Sequence, residues 1–307
     1  MRSTMDAFLH NTAGNSSAFV PAMERLAARV GGMSYQSMSS DPAPWCSNLT
    51  KAGQLLQADA LVLGFDDTLL AEACGANVQW QEDRPLITGI AVLPAVTEAI
   101  NGRLETAVEA LGRLIQTASN DFCCIAAMTG PVTLAALLDT THDQAGKLKQ
   151  ITVEIAQALC HKRPDLLLFR EGPAICENDI SMPQRKAFNT LCNVARYFNI
   201  PTAIYVEGYT SKTLNSIDKL KMDFYFFGET ADGTVPDPGL FLDLAQRVKG
   251  IGIALPFNDV TEALLHAEFC KTTLTGKNIL FTTPGDLVRD TDLDTARAIT
   301  SGLKSLC

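Results

Sequence analysis

Short apolar runs without polar alternation recur along the chain, and segments with helical periodicity separate them. The clearest run is ALVLGFDDT at 60–68, which ends in two carboxylates and a hydroxyl. Runs of this kind are typical of strands that are buried on both faces of a parallel sheet. Eight segments share this character: 19–23, 60–68, 123–128, 166–169, 202–206, 224–227, 251–255 and 279–283.

Helical patterns fill the intervals between these strands, and connections are short. The predicted helices include 24–30, 144–161, 183–198, 213–221, 238–249, 261–273 and 292–306, and 76–95 is predicted to be a small hairpin. Eight β–α units in series predict an α/β fold, a single (β/α)8 TIM barrel. An open doubly wound sheet is the alternative, but the sequence has no Gly-x-Gly-x-x-Gly or Walker signature. We expect 1–17 to form an N-terminal arm and 18–307 to form the barrel.

Composition limits the class of partner. The 307 residues are 47% hydrophobic and 19% charged, as in a globular enzyme, and the formal net charge is −9. This charge argues against a nucleic-acid or anionic-membrane surface, which needs clustered Lys and Arg. No apolar stretch reaches the roughly 18 residues of a membrane helix. Nine cysteines without a Cys-x-x-Cys pair favour reduced thiols, so we expect a cytoplasmic protein.

The chemistry of a (β/α)8 barrel lies in the loops that follow the strands. Polar candidates at these strand ends are Asp66, Asp67, Thr68, Thr129, Arg170, Glu171, Glu207, Tyr209, Glu229, Asn258, Thr283 and Asp286. Carboxylates outnumber cations in this set. Because neighbouring carboxylates raise one another's pKa, one of them could donate a proton near neutral pH.

The same positions test for a metal site. The four histidines, His10, His142, His161 and His266, fall in the arm or in helices, and no cysteine ends a strand. A thiolate–imidazole zinc centre is therefore not expected, and neither is a Ser-His-Asp or Cys-His nucleophile. An all-oxygen magnesium site from Asp66, Asp67 and Glu207 stays open.

Four segments carry a resemblance to a known family: ADALVLGFDDTLLAEACGANVQW, MTGPVTLAALL, PTAIYVEGYT and ILFTTPGDLVRDTDLDTARAI. The chain resembles the uroporphyrinogen decarboxylase superfamily, which also contains cobalamin-linked methyltransferases. The resemblance implies a single (β/α)8 domain, a homodimer and decarboxylation without a cofactor. It places Asp67 at the family's catalytic aspartate, which holds pyrrole N–H groups and stabilises a cationic intermediate.

The chain departs from both branches of that family. The decarboxylase segment Arg-Gln-Ala-Gly-Arg-Tyr reads PAMERLAARVGG, a tyrosine is replaced by Leu137, and a histidine near the last strand is missing. In the methyltransferase branch, the zinc-binding His-x-Cys is replaced by Tyr205-Val-Glu207, and the last loop has no cysteine. The resemblance therefore implies the barrel and Asp67, and the substrate is expected to be smaller or less anionic than uroporphyrinogen.

Our leading hypothesis is a cofactor-free decarboxylase or lyase that acts on a small carboxylate or pyrrole-type substrate. Asp67 would stabilise positive charge, Glu207 would act as acid or base, and Asp66 is a third catalytic candidate. Arg170 is the expected carboxylate anchor, because a guanidinium binds a carboxylate bidentately. The further substrate-binding candidates are Glu171, Thr129, Tyr205, Tyr209, Asn258 and Arg25. The alternatives are methyl transfer without zinc, with a corrinoid protein as partner, and a non-catalytic ligand-binding barrel.

Overall fold

The computed structural model of the chain describes residues 2–12, 17–90 and 92–306. The strands are β1 (Phe19–Ala22), β2 (Ala60–Leu63), β3 (Ala76–Gln81), β4 (Arg84–Ile90), β5 (Cys123–Thr129), β6 (Leu166–Glu171), β7 (Thr202–Val206), β8 (Phe224–Phe227), β9 (Ile251–Ala254) and β10 (Ile279–Asp286). The α-helices are α1 (Arg2–Leu9), α2 (Glu24–Val30), α3 (Tyr35–Met38), α4 (Pro42–Leu55), α5 (Asp67–Ala73), α6 (Gly102–Ala118), α7 (Pro131–Leu137), α8 (His142–His161), α9 (Met182–Tyr197), α10 (Ser211–Leu214), α11 (Val260–Thr273) and α12 (Leu293–Ser305).

Eight parallel strands form a nearly closed barrel in the order β1-β10-β9-β8-β7-β6-β5-β2. The gap between β1 and β2 is bridged by a hydrogen bond of 2.8 Å from the Asp59 amide to the Phe19 carbonyl. All eight predicted strands are present, with bounds that differ by a few residues, so the predicted TIM barrel is confirmed. None of the helices in the described ranges combines the length and the apolarity that a membrane crossing needs.

Apolar side chains fill both the interior of the barrel and the layer between strands and helices. Helix α1 closes the end of the barrel at which the strands begin. Its Phe8 ring lies 4.9 Å from the ring of Phe224, and Arg2 pairs with Asp165 at 2.6 Å. The predicted arm thus contains a helix that packs on the barrel, while 13–16 lie outside the described residues.

Two predicted helices take a different form. The 213–221 segment overlaps the end of the short α10 and contains a 3-10 turn at Ile217–Leu220, and 238–249 contains only the 3-10 turns Pro238–Phe241 and Leu244–Gln246. In the second case the Asp237 side chain accepts a hydrogen bond from the Gly239 amide at 2.7 Å. The poor helix propensity of this glycine disfavours a regular helix. The hairpin predicted within 76–95 is present as antiparallel β3 and β4.

Candidate active site

Three strand ends bring Asp67, Arg170 and Glu207 together at the barrel mouth, the face where the barrel strands end. Asp67 opens α5 after β2, Arg170 lies near the end of β6, and Glu207 follows β7. Arg170 pairs with Asp67 through Nη1 and with Glu207 Oε2 through Nη2, the latter at 2.9 Å. The Arg170 guanidinium also lies over the Phe65 ring, 4.8 Å from its centroid. These residues, Asp67, Arg170 and Glu207, are called the Arg170 cluster below.

One cation between two carboxylates gives the Arg170 cluster a formal charge of −1. The side chains of Arg170, Asp67 and Glu207 are only 17%, 25% and 21% exposed. Burial raises the pKa of Glu207, and the charge of Arg170 opposes that shift. Asp67 Oδ1 and Arg170 Nε are buried without a hydrogen-bond partner within the described ranges. Because both terminal nitrogens of Arg170 already bind carboxylates, its charge is compensated before any substrate arrives.

Glu24, Arg25 and Asp286 form a second charged group at the mouth. Asp286 accepts hydrogen bonds from the backbone amides of Glu24 and Arg25, at 2.7 and 3.3 Å, and pairs with Arg25 Nε at 3.2 Å. Burial raises the pKa of Asp286 to about 6, against the charge of Arg25. The terminal nitrogens of Arg25 have no hydrogen-bond partner among the described residues. Arg25 is therefore a cation at the mouth whose terminal N–H groups are available as hydrogen-bond donors.

The Glu24 side chain is 1% exposed, and three donors surround its carboxylate. They are Trp45 Nε1 at 3.0 Å and the backbone amides of Gly64 and Phe65 at 3.0 and 2.9 Å. Burial, followed by repulsion from Asp286, raises the pKa of Glu24 to about 8. A glycine is required at 64, because φ is +91° there and a Cβ would lie 2.5 Å from the Ala127 carbonyl oxygen.

A cleft of about 810 Å³ opens beside the Arg170 cluster. Arg170, Glu207 and Asp286 line its polar side, while Phe257 and Asn258 line the side near the end of β9. Asn258 is exposed at its rim. The cleft is large enough for a small organic substrate in contact with the charged groups.

Two predicted site residues, Asp66 and Glu171, serve as helix caps. Asp66 accepts hydrogen bonds from the Thr68 amide at 2.9 Å and from Arg103 at 2.8 Å. Glu171 is 0% exposed and accepts bonds from the amide and hydroxyl of Thr133, at 2.7 and 2.5 Å. Burial raises the pKa of Glu171 to about 7. Both carboxylates are occupied by the protein and lie behind the mouth surface.

Three more predicted residues are buried with their hydroxyls bonded to backbone carbonyls. Thr129 donates to the Asp67 carbonyl at 3.2 Å. The Tyr205 hydroxyl lies 2.7 Å from the Pro284 carbonyl oxygen, and the Tyr209 hydroxyl lies 3.3 Å from that of Gly228. In this structure these three residues support the strand ends. Arg170, Glu207 and Asn258 line the cleft, Asp67 pairs with Arg170, and Arg25 lines an adjoining cavity.

Sequence reasoning missed Glu24 and Phe65 as parts of the site. Both lie one or two residues beyond a short apolar strand, which is the same signal that singled out Asp67. The first strand is interrupted by Pro21, so the carboxylate that follows it did not stand out. Phe65 was assigned to the strand itself, although β2 ends at Leu63.

The residues at the mouth do not fit a metal site. In the described part of the chain, no group of three or more His, Cys, Asp or Glu side chains could hold a metal ion. Tyr205, which the resemblance aligns with a zinc-binding histidine, donates to the carbonyls of Thr283 and Pro284. The three carboxylates of the magnesium alternative are engaged by arginines, Asp66 by Arg103 and the other two by Arg170.

The profile of the uroporphyrinogen decarboxylase (URO-D) family matches residues 19–162 of this chain. That segment contains Glu24, Arg25 and Asp67. Over these residues the chain is similar to the uroporphyrinogen decarboxylase family. Members of this superfamily are enzymes. A search of the curated proteins finds no match to the chain.

Solved structures resemble this chain in fold. A methyltransferase from Methanosarcina mazei has a TM-score of 0.79 at 15% identity, over 99% of this chain and 98% of that chain. A B12-independent methionine synthase from Shewanella sp. W3-18-1 has a TM-score of 0.56 at 15% identity, over 94% and 96%. The homocysteine methyltransferase MmuM from Escherichia coli has a TM-score of 0.54 at 9% identity, over 96% and 99%. At these identities the likeness establishes the shared barrel.

Proposed function

We propose that this barrel is a cofactor-free lyase that decarboxylates a small substrate carrying a pyrrole-type or other N–H group. The Arg170 cluster is the observation that carries the proposal, because it holds two carboxylates at fixed positions beside the cleft. The similarity of residues 19–162 to the uroporphyrinogen decarboxylase family supports the proposal as well.

Electrostatics assign different tasks to the two arginines. Arg170 is compensated by Asp67 and Glu207, so it serves to hold them rather than to anchor an anion. Arg25 keeps its terminal nitrogens available and takes the substrate carboxylate. The remaining buried acceptor, Asp67 Oδ1, is suited to receive the substrate N–H.

The reaction needs one acid and one stabiliser of positive charge. Glu207, whose pKa is raised by burial, donates a proton to the substrate ring. An exocyclic carbon of this ring carries the carboxylate. Asp67 stabilises the cation that results. The C–C bond to the carboxylate then breaks, its electron pair neutralises the cation, and CO2 leaves. A proton from solvent then adds to the exocyclic carbon, and the ring returns its extra proton to Glu207, so overall one proton replaces the carboxylate.

Methyl transfer is the second candidate function. Three proteins with similar folds are described as a methyltransferase, a methionine synthase and a homocysteine methyltransferase. In this chain Glu207 would act as the base that deprotonates the methyl acceptor, and a corrinoid protein would supply the methyl group. The acceptor would have to react without zinc activation, because the ligand positions hold Tyr205 and Glu207.

A two-arm assay separates the candidates. Purified protein is incubated with carboxyl-13C-labelled pyrrole, indole and amino acids, and released 13CO2 is measured; a parallel reaction contains methylcobalamin and a panel of thiols. We expect CO2 release that falls by about 100-fold or more in Asp67→Asn and Glu207→Gln. Arg25→Met should mainly raise KM, and Arg113→Met, which removes an exposed pair with Glu109, should leave turnover unchanged. Demethylation of methylcobalamin without CO2 release would replace the lyase proposal by the second candidate.

A further inference from the structure

One buried residue, Glu24, connects three strand ends and helix α4 at the mouth. Its backbone amide donates to Asp286 at the end of β10, at 2.7 Å. Its carboxylate accepts hydrogen bonds from the amides of Gly64 and Phe65 at the turn after β2 and from the indole N–H of Trp45 in α4. No other contact described above joins the β1, β2 and β10 ends through one residue.

The turn that Glu24 holds leads directly into the Arg170 cluster. Phe65 lies under the guanidinium of Arg170, and its ring centroid is 5.0 Å from that of Tyr205. Asp67, two residues further along the turn, pairs with Arg170. A displacement of the Gly64–Phe65 peptides would therefore move the Phe65 ring, which lies against one face of the guanidinium, and Asp67, which pairs with it.

We propose that Glu24 is the positioning residue of the mouth: its carboxylate fixes the turn after β2 and thereby places Phe65 and Asp67 against Arg170. This inference rests on the proposed function for its catalytic meaning, because Asp67 and Glu207 act only when Arg170 holds them. Its structural content is independent of the substrate.

The hydrogen bonds to the Glu24 carboxylate depend on whether that carboxylate is protonated. All three partners of the Glu24 carboxylate are donors, so the charged form satisfies each of them. Oε1 accepts the bonds from Trp45 and Gly64, and Oε2 accepts the bond from Phe65, so a proton on Oε2 would need an acceptor that none of these groups provides and would weaken the bond from the Phe65 amide. The titratable groups that act on Glu24 are Asp286 from β10 and Asp66 from the turn, and Glu24 in turn acts on Tyr35 from α3. With its pKa raised to about 8, Glu24 would change state near neutral pH.

NMR of the full-length protein tests the coupling without a substrate. The chain has two tryptophans, so the Trp45 indole N–H is assigned by comparison with Trp80→Phe. The Arg170 Nε–Cζ correlation, detected on 13C, is assigned with Arg170→Lys. Between pH 6 and 10 we expect both signals to shift with the same midpoint in the wild type, and this shared midpoint to be absent from both signals in Glu24→Gln.

Asp59→Asn is the matched control. Asp59 is also fully buried and joins β1 to β2, but it lies at the opposite end of the barrel, where the strands begin. The Asp59 side chain accepts a hydrogen bond from the Phe19 amide at 2.7 Å and pairs with Lys304 at 2.5 Å. This variant should be destabilised and yet keep both titrations. A Trp45 signal that titrates while the Arg170 signal stays fixed would overturn the proposal and leave Glu24 a structural residue. So would an Arg170 shift in Glu24→Gln that keeps the midpoint of the wild-type Trp45 signal. Either result would leave the assay of CO2 release unaffected as a test of the function.

Discussion

Removal of the central cation in Arg170→Met should destabilise the protein strongly at neutral pH. The variant leaves Asp67 and Glu207 close together, about one fifth to one quarter exposed, with no cation between them. A hydrogen bond to a charged group contributes roughly 1.5–3 kcal/mol, and breaking a fully buried ion pair costs roughly 3–5 kcal/mol. With the partial exposure of these side chains, we expect a loss of about 3 kcal/mol in the free energy of unfolding.

The penalty should depend on pH with a defined sign. As pH falls, Glu207 takes up a proton at a higher pH than an ordinary carboxyl, because burial raises its pKa and the opposing cation has been removed. Repulsion within the pair then disappears, so Arg170→Met should approach the stability of the wild type near pH 5. Urea unfolding at pH 7 and pH 5 measures both values.

The exposed pair of Arg113 and Glu109 provides the control for this experiment, since its side chains are 45% and 55% exposed. Arg113→Met should change stability by less than about 0.5 kcal/mol at either pH. If Arg170→Met behaved like Arg113→Met, or lost the same stability at pH 5 as at pH 7, the electrostatic account of the Arg170 cluster would be wrong.

Two further predictions concern the buried Glu171. A Cβ at position 130 would lie 2.2 Å from Glu171 Oε1, so Gly130→Ala should lower the free energy of unfolding by about 2 kcal/mol or more. The control Gly146→Ala, on an open face of α8, should raise it by about 0.5 kcal/mol. Thermal unfolding of both variants measures these changes. The folded protein keeps the Glu171 proton up to about pH 7, whereas an unfolded chain releases it near pH 4.5. Stability should therefore fall as pH rises through this interval, and Glu171→Gln should flatten that slope in denaturant titrations; an unchanged slope would contradict the buried assignment.

The barrel and the convergence of charges at its mouth could be predicted from sequence. Uninterrupted apolar runs reveal parallel strands, and parallel strands end on one face, so Asp67, Arg170 and Glu207 had to lie near one another. The pairing within that set could not be predicted, because side-chain directions depend on strand register and turn geometry. Arg170 therefore looked like an anion anchor, whereas its charge is already matched by two carboxylates.

Burial was the other property beyond sequence reasoning. Glu171 and Tyr209 follow strands as closely as Glu207 does, yet both are 0% exposed, since backbone donors or carbonyls take up their polar atoms. The segment at 238–249 has an apolar pattern that suits a helix, but it forms 3-10 turns, and Gly239 near its start lowers the helix propensity.

The central claim is that carboxylates held by Arg170, rather than metal ligands, provide the chemistry of the mouth. Metal content by mass spectrometry tests it most directly, on protein purified without chelator or affinity metal, in the wild type and in Glu207→Gln. The account predicts strongly substoichiometric zinc in both proteins. Near-stoichiometric zinc in the wild type that is lost in Glu207→Gln would contradict it and would favour methyl transfer.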